Sequence, residues 1–195
     1  VGSADLKGTT FDINNSFASG GTTAFTNSGV LTKNATGNIT STSAFSTTGN
    51  VNLAANITTT STDLTIGGNL VLAEGASPTL STGAATAGNI LITGNTDGTA
   101  GTGLESLTLQ AGTGSATFTG SLGTGAANSL NAVTITNAAA TNFNGAIAIT
   151  GALTQTNAAT GATTFGNTVS VGSADLKGTT FDINNSFASG GTTAF

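Results

Sequence analysis

Residues 1–25, VGSADLKGTTFDINNSFASGGTTAF, recur letter for letter as residues 171–195. A match of this length does not arise by chance, so it marks a tandem repeat whose second copy begins at Val171. We therefore divide the chain into one full unit, residues 1–170, and the start of a second identical unit, residues 171–195. Long repeats made of shorter periodic segments are typical of solenoids, in which each segment packs only on its neighbours.

A shorter and less regular rhythm lies within the unit. Glycines, five of them followed by Asn, precede short apolar segments at Gly20, Gly37, Gly49, Gly68, Gly88, Gly120, Gly145, Gly166 and Gly190. Gly and Asn tolerate positive φ and therefore mark corners. The residues that follow alternate inward and outward, as in Val133-Thr134-Ile135. Most steps are roughly twenty residues, which predicts about seven or eight β-coils per unit and a length of about 38 Å at ordinary strand spacing.

The fold predicted from this rhythm is all-β, a right-handed parallel β-helix (β-solenoid) with coils of about 20–25 residues. The composition agrees, because 37% of the residues are hydrophobic and only 6% are charged. Disordered chains combine low hydrophobicity with high charge. The alternative fold is a string of Thr-rich β-sandwich domains of about 85–100 residues joined by antiparallel hairpins. Residues 94–103 are rich in Gly and are predicted to protrude as a loop.

Three phenylalanines predict a further structural feature. Phe118, Phe143 and Phe165 follow one another at intervals that each match the predicted length of one coil. Such intervals place the three rings above one another, in an internal ladder worth about 0.5–1.5 kcal/mol per ring pair beyond burial. We therefore expect these rings in the core rather than on a binding surface.

The composition excludes most catalytic chemistry. The chain has no His or Cys, and its only basic residues are lysines, so catalytic triads, thiolate or imidazole metal sites and an Arg base are excluded. Polysaccharide-active β-helices commonly use paired carboxylates, but those of this chain are widely spread. They are Asp5, Asp12, Asp63, Glu74, Asp97, Glu105, Asp175 and Asp182. We predict a protein that is not an enzyme and has no catalytic, cofactor-binding or metal-binding residues.

Three weaker patterns keep other hypotheses open. Asp97 and Glu105 flank the Gly-rich loop, and carboxylate and carbonyl oxygens are the ligands that Ca²⁺ prefers. Thr-x-Thr motifs, which as an outward ladder would bind ice or a glycan, occur at Thr58-Thr59-Thr60, Thr134-Ile135-Thr136 and Thr154-Gln155-Thr156. N-glycosylation motifs begin at Asn14, Asn34, Asn38, Asn56 and Asn184, and we interpret these asparagines first as corner residues.

Charge and hydropathy narrow the range of partners. The net charge of −5, with only Lys7, Lys33 and Lys177 as cations, lacks the basic patch that nucleic-acid binding needs. No apolar run approaches the length of about 18 residues that a transmembrane helix needs. No segment resembles a signal peptide, although the sequence starts within the repeat pattern at Val1. We therefore expect neither a nucleic-acid partner nor a transmembrane segment in this part of the protein.

Three segments, residues 107–125, 133–151 and 153–176, read LTLQAGTGSATFTGSLGTG, VTITNAAATNFNGAIAITG and LTQTNAATGATTFGNTVSVGSADL. They resemble the repeats of large bacterial surface proteins, the filamentous-haemagglutinin-like and autotransporter passenger adhesins. The resemblance implies a β-helix that serves as an extracellular or cell-surface stalk or filament in adhesion, cell–cell contact or surface coating. The implied partners are further copies of the chain, end to end or side by side, or the surface of a host or neighbouring cell. An ice- or glycan-binding module that uses exposed Thr ladders is the alternative function.

Overall fold

Strands make up most of the chain. In a computed structural model, the structure describes residues 1–85, 87–101, 103–124, 129–156 and 161–195. Within these ranges the strands are, in chain order, β1 (Ala4–Gly8), β2 (Phe11–Ile13), β3 (Phe17–Ser19), β4 (Thr23–Asn27), β5 (Val30–Lys33), β6 (Ile39–Ser41), β7 (Phe45–Thr47), β8 (Asn50–Leu53), β9 (Ile57–Thr59), β10 (Leu64–Ile66), β11 (Leu70–Leu72), β12 (Thr79–Ser81), β13 (Ile90–Ile92), β14 (Thr96–Gly98), β15 (Ser106–Gln110), β16 (Ser115–Phe118), β17 (Ala132–Asn137), β18 (Ala140–Phe143), β19 (Ile147–Gln155), β20 (Ala162–Phe165), β21 (Val169–Leu176), β22 (Thr180–Ile183), β23 (Phe187–Ser189) and β24 (Thr193–Ala194). Most strands are short because the chain turns a corner after each of them.

The strands form three ladders along one solenoid. Face A contains nine strands in the order β1-β4-β7-β10-β13-β16-β18-β20-β22, and we number the nine coils by these strands. Face B begins with β2-β5-β8-β11-β14. It continues through Leu122, which bridges Thr96 and Ile147, to the first parts of β19 and β21 and then to β23. Face C runs from β3-β6-β9-β12-β15-β17 to the last parts of β19 and β21 and then to β24.

Pairing within the ladders is parallel, which confirms the predicted parallel β-solenoid. On face A, each residue pairs with one from the next coil, as Thr163 with Phe181 and Leu64 with Ile90 show. Parallel pairing between residues one coil apart contradicts the alternative of β-sandwiches, whose neighbouring strands are joined by antiparallel hairpins. The right-handed sense of the coil stays a prediction.

The corners of each coil explain why the glycine rhythm in the sequence is irregular. Gly37 precedes β6 on face C, whereas Gly49 precedes β8 on face B of the following coil. The two glycines therefore belong to different corners. Their short separation in the sequence is not the length of a coil, because the chain between them passes only part of the way around the solenoid.

Apolar side chains point inward from all three faces and form one continuous core. On face B one inward column of successively paired residues runs through all nine coils: Phe11, Leu31, Val51, Leu70, Thr96, Leu122, Ile147, Val169 and Phe187. The predicted alternation is confirmed at Val133 and Ile135, which are buried, and at Thr134, which is partly exposed between them. Because each coil covers the apolar row of the next, the coils stabilise one another rather than folding singly.

The predicted phenylalanine ladder is confirmed. The ring of Phe143 stacks on those of Phe118 and Phe165, with centroids 5.3 Å apart in both pairs and interplanar angles of 8° and 2°. All three rings are buried. A second aromatic cluster, which the sequence pattern did not predict, surrounds Phe25, whose ring centroid lies 5.1 Å from that of Phe11.

The prediction that residues 94–103 protrude as one loop is wrong for part of that segment. Thr96–Gly98 form β14, in which Thr96 pairs with Leu70 of β11 and is fully buried. Pairing with the neighbouring coil outweighs the low strand propensity of Asp97 and Gly98. The irregular segment instead lies between β14 and β15, and its Thr102 lies outside the described residues.

The substitution Phe143→Ala tests how strongly the ring ladder stabilises the solenoid. It removes a buried ring from between two others, so we expect the free energy of unfolding to fall by about 3–5 kcal/mol. Phe195→Ala is the control, because this ring is 59% exposed and its loss should cost less than about 1 kcal/mol. Chemical denaturation followed by circular dichroism measures both changes. Equal losses in the two variants would contradict a core ladder.

Candidate functional site

The corners that lead from face A to face B carry glycines stacked on one another. A Cβ added at Gly68 would lie 2.5 Å from the carbonyl carbon of Gly49. A Cβ at Gly120 would collide with the backbone of Gly94, and a Cβ at Gly145 with the backbone of Gly120. Successive coils therefore approach so closely at this corner that only a residue without a side chain fits.

This close approach corrects the reason predicted for the Gly-Asn pairs. Among the five glycines of these pairs, all of which are described, only Gly37 has a positive φ, at 73°. The glycines of the other four pairs have ordinary φ values, so no left-handed corner conformation requires them. At Gly49, Gly68 and Gly88, space between coils rather than backbone conformation selects glycine. An added Cβ would collide with the backbone of a neighbouring coil at Gly49 and would lie 2.5 and 2.7 Å from such backbone atoms at Gly68 and Gly88. At Gly166 the nearest such atom would be 3.3 Å away.

The asparagines that follow Gly49, Gly68 and Gly94 form a hydrogen-bonded ladder between coils. Asn69 donates its backbone N–H to the Oδ1 of Asn50 at 2.9 Å, and Asn95 donates its own to the Oδ1 of Asn69 at 2.9 Å. Ser121 continues the ladder by donating its backbone N–H to the Oδ1 of Asn95 at 3.0 Å. Each side-chain amide thus satisfies a corner N–H that no strand partner satisfies. The sequence contains the signal for this role, namely Asn after Gly at matching corners, but the same signal also fits a turn conformation.

A second ladder of the same kind joins the corners that lead into face A. Asn89 donates its backbone N–H to the Oδ1 of Asp63 at 2.7 Å, and Ser115 donates its own to the Oδ1 of Asn89 at 3.0 Å. One of the predicted carboxylates therefore has a structural role in joining two coils.

The substitution Asn95→Ala should weaken the corner ladder. It leaves the N–H of Ser121 without its acceptor, so we expect the free energy of unfolding to fall by about 0.5–1.5 kcal/mol. Asn95→Asp keeps an acceptor oxygen and should recover most of this loss. Asn52→Ala is the matched control, since Asn52 points outward from β8. A loss at Asn52 as large as the loss at Asn95 in urea denaturation would refute a specific role for the ladder.

Lys33 places an ammonium group inside the solenoid. Its side chain is 1% exposed. The Nζ donates hydrogen bonds to the carbonyl oxygens of Asn34 at 2.6 Å, Thr36 at 2.9 Å and Ile13 at 3.4 Å. Burial lowers the pKa of Lys33 below its ordinary value of 10.5, because desolvation disfavours the charged form. These bonds hold the corner after β5, and no carboxylate acceptor of Lys33 occurs among the described residues.

The lowered pKa of Lys33 makes stability depend on pH. Below the folded-state pKa the lysine is charged in both states, so the cost of burying the charge is present in full. Between that pKa and 10.5 the unfolded chain binds a proton that the folded chain does not, so the free energy of unfolding rises with pH. We expect urea titrations to show this rise as the pH approaches 10.5. Lys33→Met should abolish it, and Lys7→Met, at an exposed lysine, should keep it. A rise that persists in Lys33→Met would contradict the assignment.

Most of the predicted carboxylates lie far apart on the outer surface. Asp5 and Asp182 stand at opposite ends of the outward column of face A. Asp12 and Asp97 belong to the first and last of the five leading strands of face B, and Asp175 belongs to face C. Among the residues that the structure describes, no group of three or more His, Cys, Asp or Glu side chains could hold a metal ion.

Glu105 differs from the other carboxylates because it is fully buried. Its Oε1 accepts a hydrogen bond from the backbone N–H of Gly75 at 3.2 Å. Its Oε2 accepts none from the described residues, and it would lie 2.7 Å from a Cβ at Gly98. The carboxylate therefore packs against the segment that follows Asp97. An ion near Asp97 stays the alternative hypothesis to the prediction that the chain has no metal-binding residues.

An outward threonine ladder is present on face C, but it is narrow. Its members, each paired with the next, are Thr79, Thr108, Thr134 and Thr154. The neighbouring column consists of Thr136 and Thr156, whose hydroxyls donate to the carbonyl oxygens of Leu109 at 3.1 Å and Thr136 at 3.0 Å. In the remaining motif, Thr58 and Thr60 lie on the outer side with the buried Thr59 between them. Thr58 pairs with Thr40 and Ser81, so this motif belongs to a different column from Thr79.

The asparagines of the glycosylation motifs also lie at corners. Asn38 accepts the backbone N–H of Asn56 at 3.3 Å through its Oδ1. Asn56 accepts that of Thr79 at 2.8 Å, and Asn34 donates from its Nδ2 to the Oδ1 of Asn14 at 2.6 Å. These amides join coils, as corner residues do, and attachment of a glycan to any of them stays the alternative interpretation.

A groove of about 390 Å³ opens along face B, and it contains none of the carboxylates, Thr-x-Thr threonines or glycosylation-motif asparagines considered in the sequence analysis. Its lining is uncharged: Gly123, Thr124, Ser129, Ala148, Ile149, Thr150, Ser170, Val171 and Gly172.

Among the described residues, no helix has the length and apolar character needed to cross a membrane. No protein-family model matches the chain, and no curated protein or solved structure shows significant similarity to it.

Proposed function

We propose that the chain is part of a non-catalytic structural protein, a β-solenoid stalk or filament at the cell exterior. Its role is adhesion, cell–cell contact or coating of the cell surface. The observation that carries the proposal is the continuous core, in which nine coils of one ladder share the same inward columns. Such a body gains length with each added coil and needs no site to function.

The outer surface supports the same proposal. The outward column of face A holds uncharged residues between its two terminal aspartates: Ala24, Ser46, Thr65, Leu91, Thr117, Asn142 and Thr164. β-branched and small polar side chains suit the exposed side of a strand. Nothing in this column requires a ligand.

The adhesive and extracellular part of the proposal has a separate support, the resemblance of the repeats to those of bacterial surface adhesins. On this proposal the right-handed solenoid stands outside the cell, and its partners are further copies of itself or the surface of a host or neighbouring cell. The chain carries no enzymatic activity and no nucleic-acid partner.

Labelling of intact cells tests the location and shape together. Antibodies raised against the purified chain should decorate filaments or a coat outside unpermeabilised cells in immunogold electron microscopy. Cells that lack the gene for the protein are the control. Label that appears only after the cells are sectioned, within the cytoplasm, would overturn the proposal.

An ice- or glycan-binding module is the second candidate, and the four stacked threonines of face C favour it. We test it with the double substitution of Thr134→Lys and Thr154→Lys on the outward column. If the structural proposal is correct, the double substitution changes neither the rate of ice recrystallisation nor binding to a glycan array. Binding by the unsubstituted chain that disappears in the double variant, with an unchanged circular dichroism spectrum, would establish the second candidate instead.

A further inference from the structure

The sequence that occurs twice folds into the same local coil in both places. Ala4 donates its backbone N–H to the carbonyl oxygen of Thr22 at 2.8 Å, and Ala174 donates its own to that of Thr192 at 2.9 Å. The serine hydroxyl at the end of the third strand of the repeat makes the same hydrogen bond in both copies. In the first copy, Ser19 donates to the carbonyl oxygen of Gly21 at 2.9 Å. Its counterparts, Ser189 and Gly191, are joined at 3.2 Å. The inward phenylalanines also agree, because Phe11 and Phe17 in the first copy and Phe181 and Phe187 in the second all pack against the core.

The two copies nevertheless occupy different faces. In the first copy Ala4 lies on face A, Phe11 on face B and Phe17 on face C. In the second copy the equivalent residues lie one face away: Ala174 on face C, Phe181 on face A and Phe187 on face B. From Ala4 to Ala174 the chain therefore advances the solenoid by seven coils and two further faces, rather than by a whole number of coils.

The coil formed by the repeated sequence has two stacking sides, and each copy shows a different one of them in contact with a neighbouring coil. The first copy packs towards the second coil, where Leu6 pairs with Phe25 and Phe17 pairs with Ile39. The second copy packs on the eighth coil, where the ring of Phe187 lies 5.4 Å from that of Phe165. The repeated 25-residue sequence is thus complementary to the last coil of the unit on one side and to the second coil of the unit on the other.

We propose that residues 1–25 are a seam coil, through which one unit stacks on a second copy of the same unit in the same polypeptide, turned by one face. The partner at this interface is the identical unit. The inference rests on the repeat and on strand register, and it holds whether or not the protein lies outside the cell.

The rotation determines how a tandem array displays its surface. Since each unit adds seven coils and two of three faces, three units complete 23 coils and return every residue to its starting face. Within those three units, any outward group appears once on each of the three faces. An array therefore offers the same contacts in three directions, and side-by-side association of copies is not restricted to one flank.

Engineered cysteines test the rotation, because the chain has none of its own. The proposed arrangement places Asp182 beside Thr164 and Ala188 beside Ser170. The pairs of substitutions Thr164→Cys with Asp182→Cys, and Ser170→Cys with Ala188→Cys, should therefore cross-link under mild oxidation. Neighbouring strands lie about 4.8 Å apart, which is within the Cα range of a disulfide.

The matched control is Ser170→Cys with Asp182→Cys, a pair that the rotation keeps on different faces. If the unit contained a whole number of coils, each residue of the second copy would lie on the same face as its equivalent in the first copy. Asp182, the equivalent of Asp12, would then lie on face B beside Ser170. Pyrene labels on the same cysteines provide a second readout, since excimer emission needs proximity but not disulfide geometry. Cross-linking and excimer emission in the first two pairs alone support the proposal. A signal in the control pair, or none in all three pairs, overturns it.

A longer chain tests the seam itself. Residues 1–170 followed by residues 1–195 should form one rod, longer than the present chain by about 37 Å at a strand spacing of about 4.8 Å. Small-angle X-ray scattering measures the maximum dimension. Two bodies joined by a bend, or a chain no longer than a single unit, would show that the seam coil does not join units.

Discussion

The structure depends on one constraint, that every residue on a face must fit the residue one coil above and one coil below it. Parallel pairing sets this requirement, because hydrogen bonds between coils hold equivalent backbone positions in register at about 4.8 Å. Side chains that repeat well under such stacking, namely β-branched residues, Leu, Phe and Asn, fill the columns. The glycine column is the extreme case, in which the stacking distance leaves no space for a Cβ.

The same constraint explains which properties could be predicted from the sequence. Alternation of apolar and polar residues is local, so the strands, the inward position of Val133 and Ile135 and the stacked rings of Phe118, Phe143 and Phe165 follow from spacing alone. Properties that depend on which corner lies above which could not be read in this way. The pairing of Thr96–Gly98 with β11 and the asparagine ladder both require the three-faced register, which a search for one repeating step does not provide.

The candidate sites follow the same division. Sequence composition excluded imidazole and thiolate chemistry, but it did not indicate that Lys33 and Glu105 are buried. Lys33 pairs with Ile13 and Leu53, so it lies where the neighbouring coils carry apolar residues, and three backbone carbonyls accept its hydrogen bonds. Glu105 accepts one backbone hydrogen bond, from Gly75. Polar groups can enter a stacked core where a corner presents carbonyl or N–H groups to them.

Coils of different lengths stay in register on face A, and this has a consequence for how such proteins evolve. The pair Leu64 and Ile90 is separated by more of the chain than the pair Thr163 and Phe181, yet both stay in register, because the additional residues leave the stack at a corner. Additional residues at corners therefore do not disturb the ladder, and the segment between β14 and β15 is a longer corner of this kind. A solenoid of this kind is a scaffold on which lineages, or protein engineers, can graft new surface loops while the supporting rod stays intact.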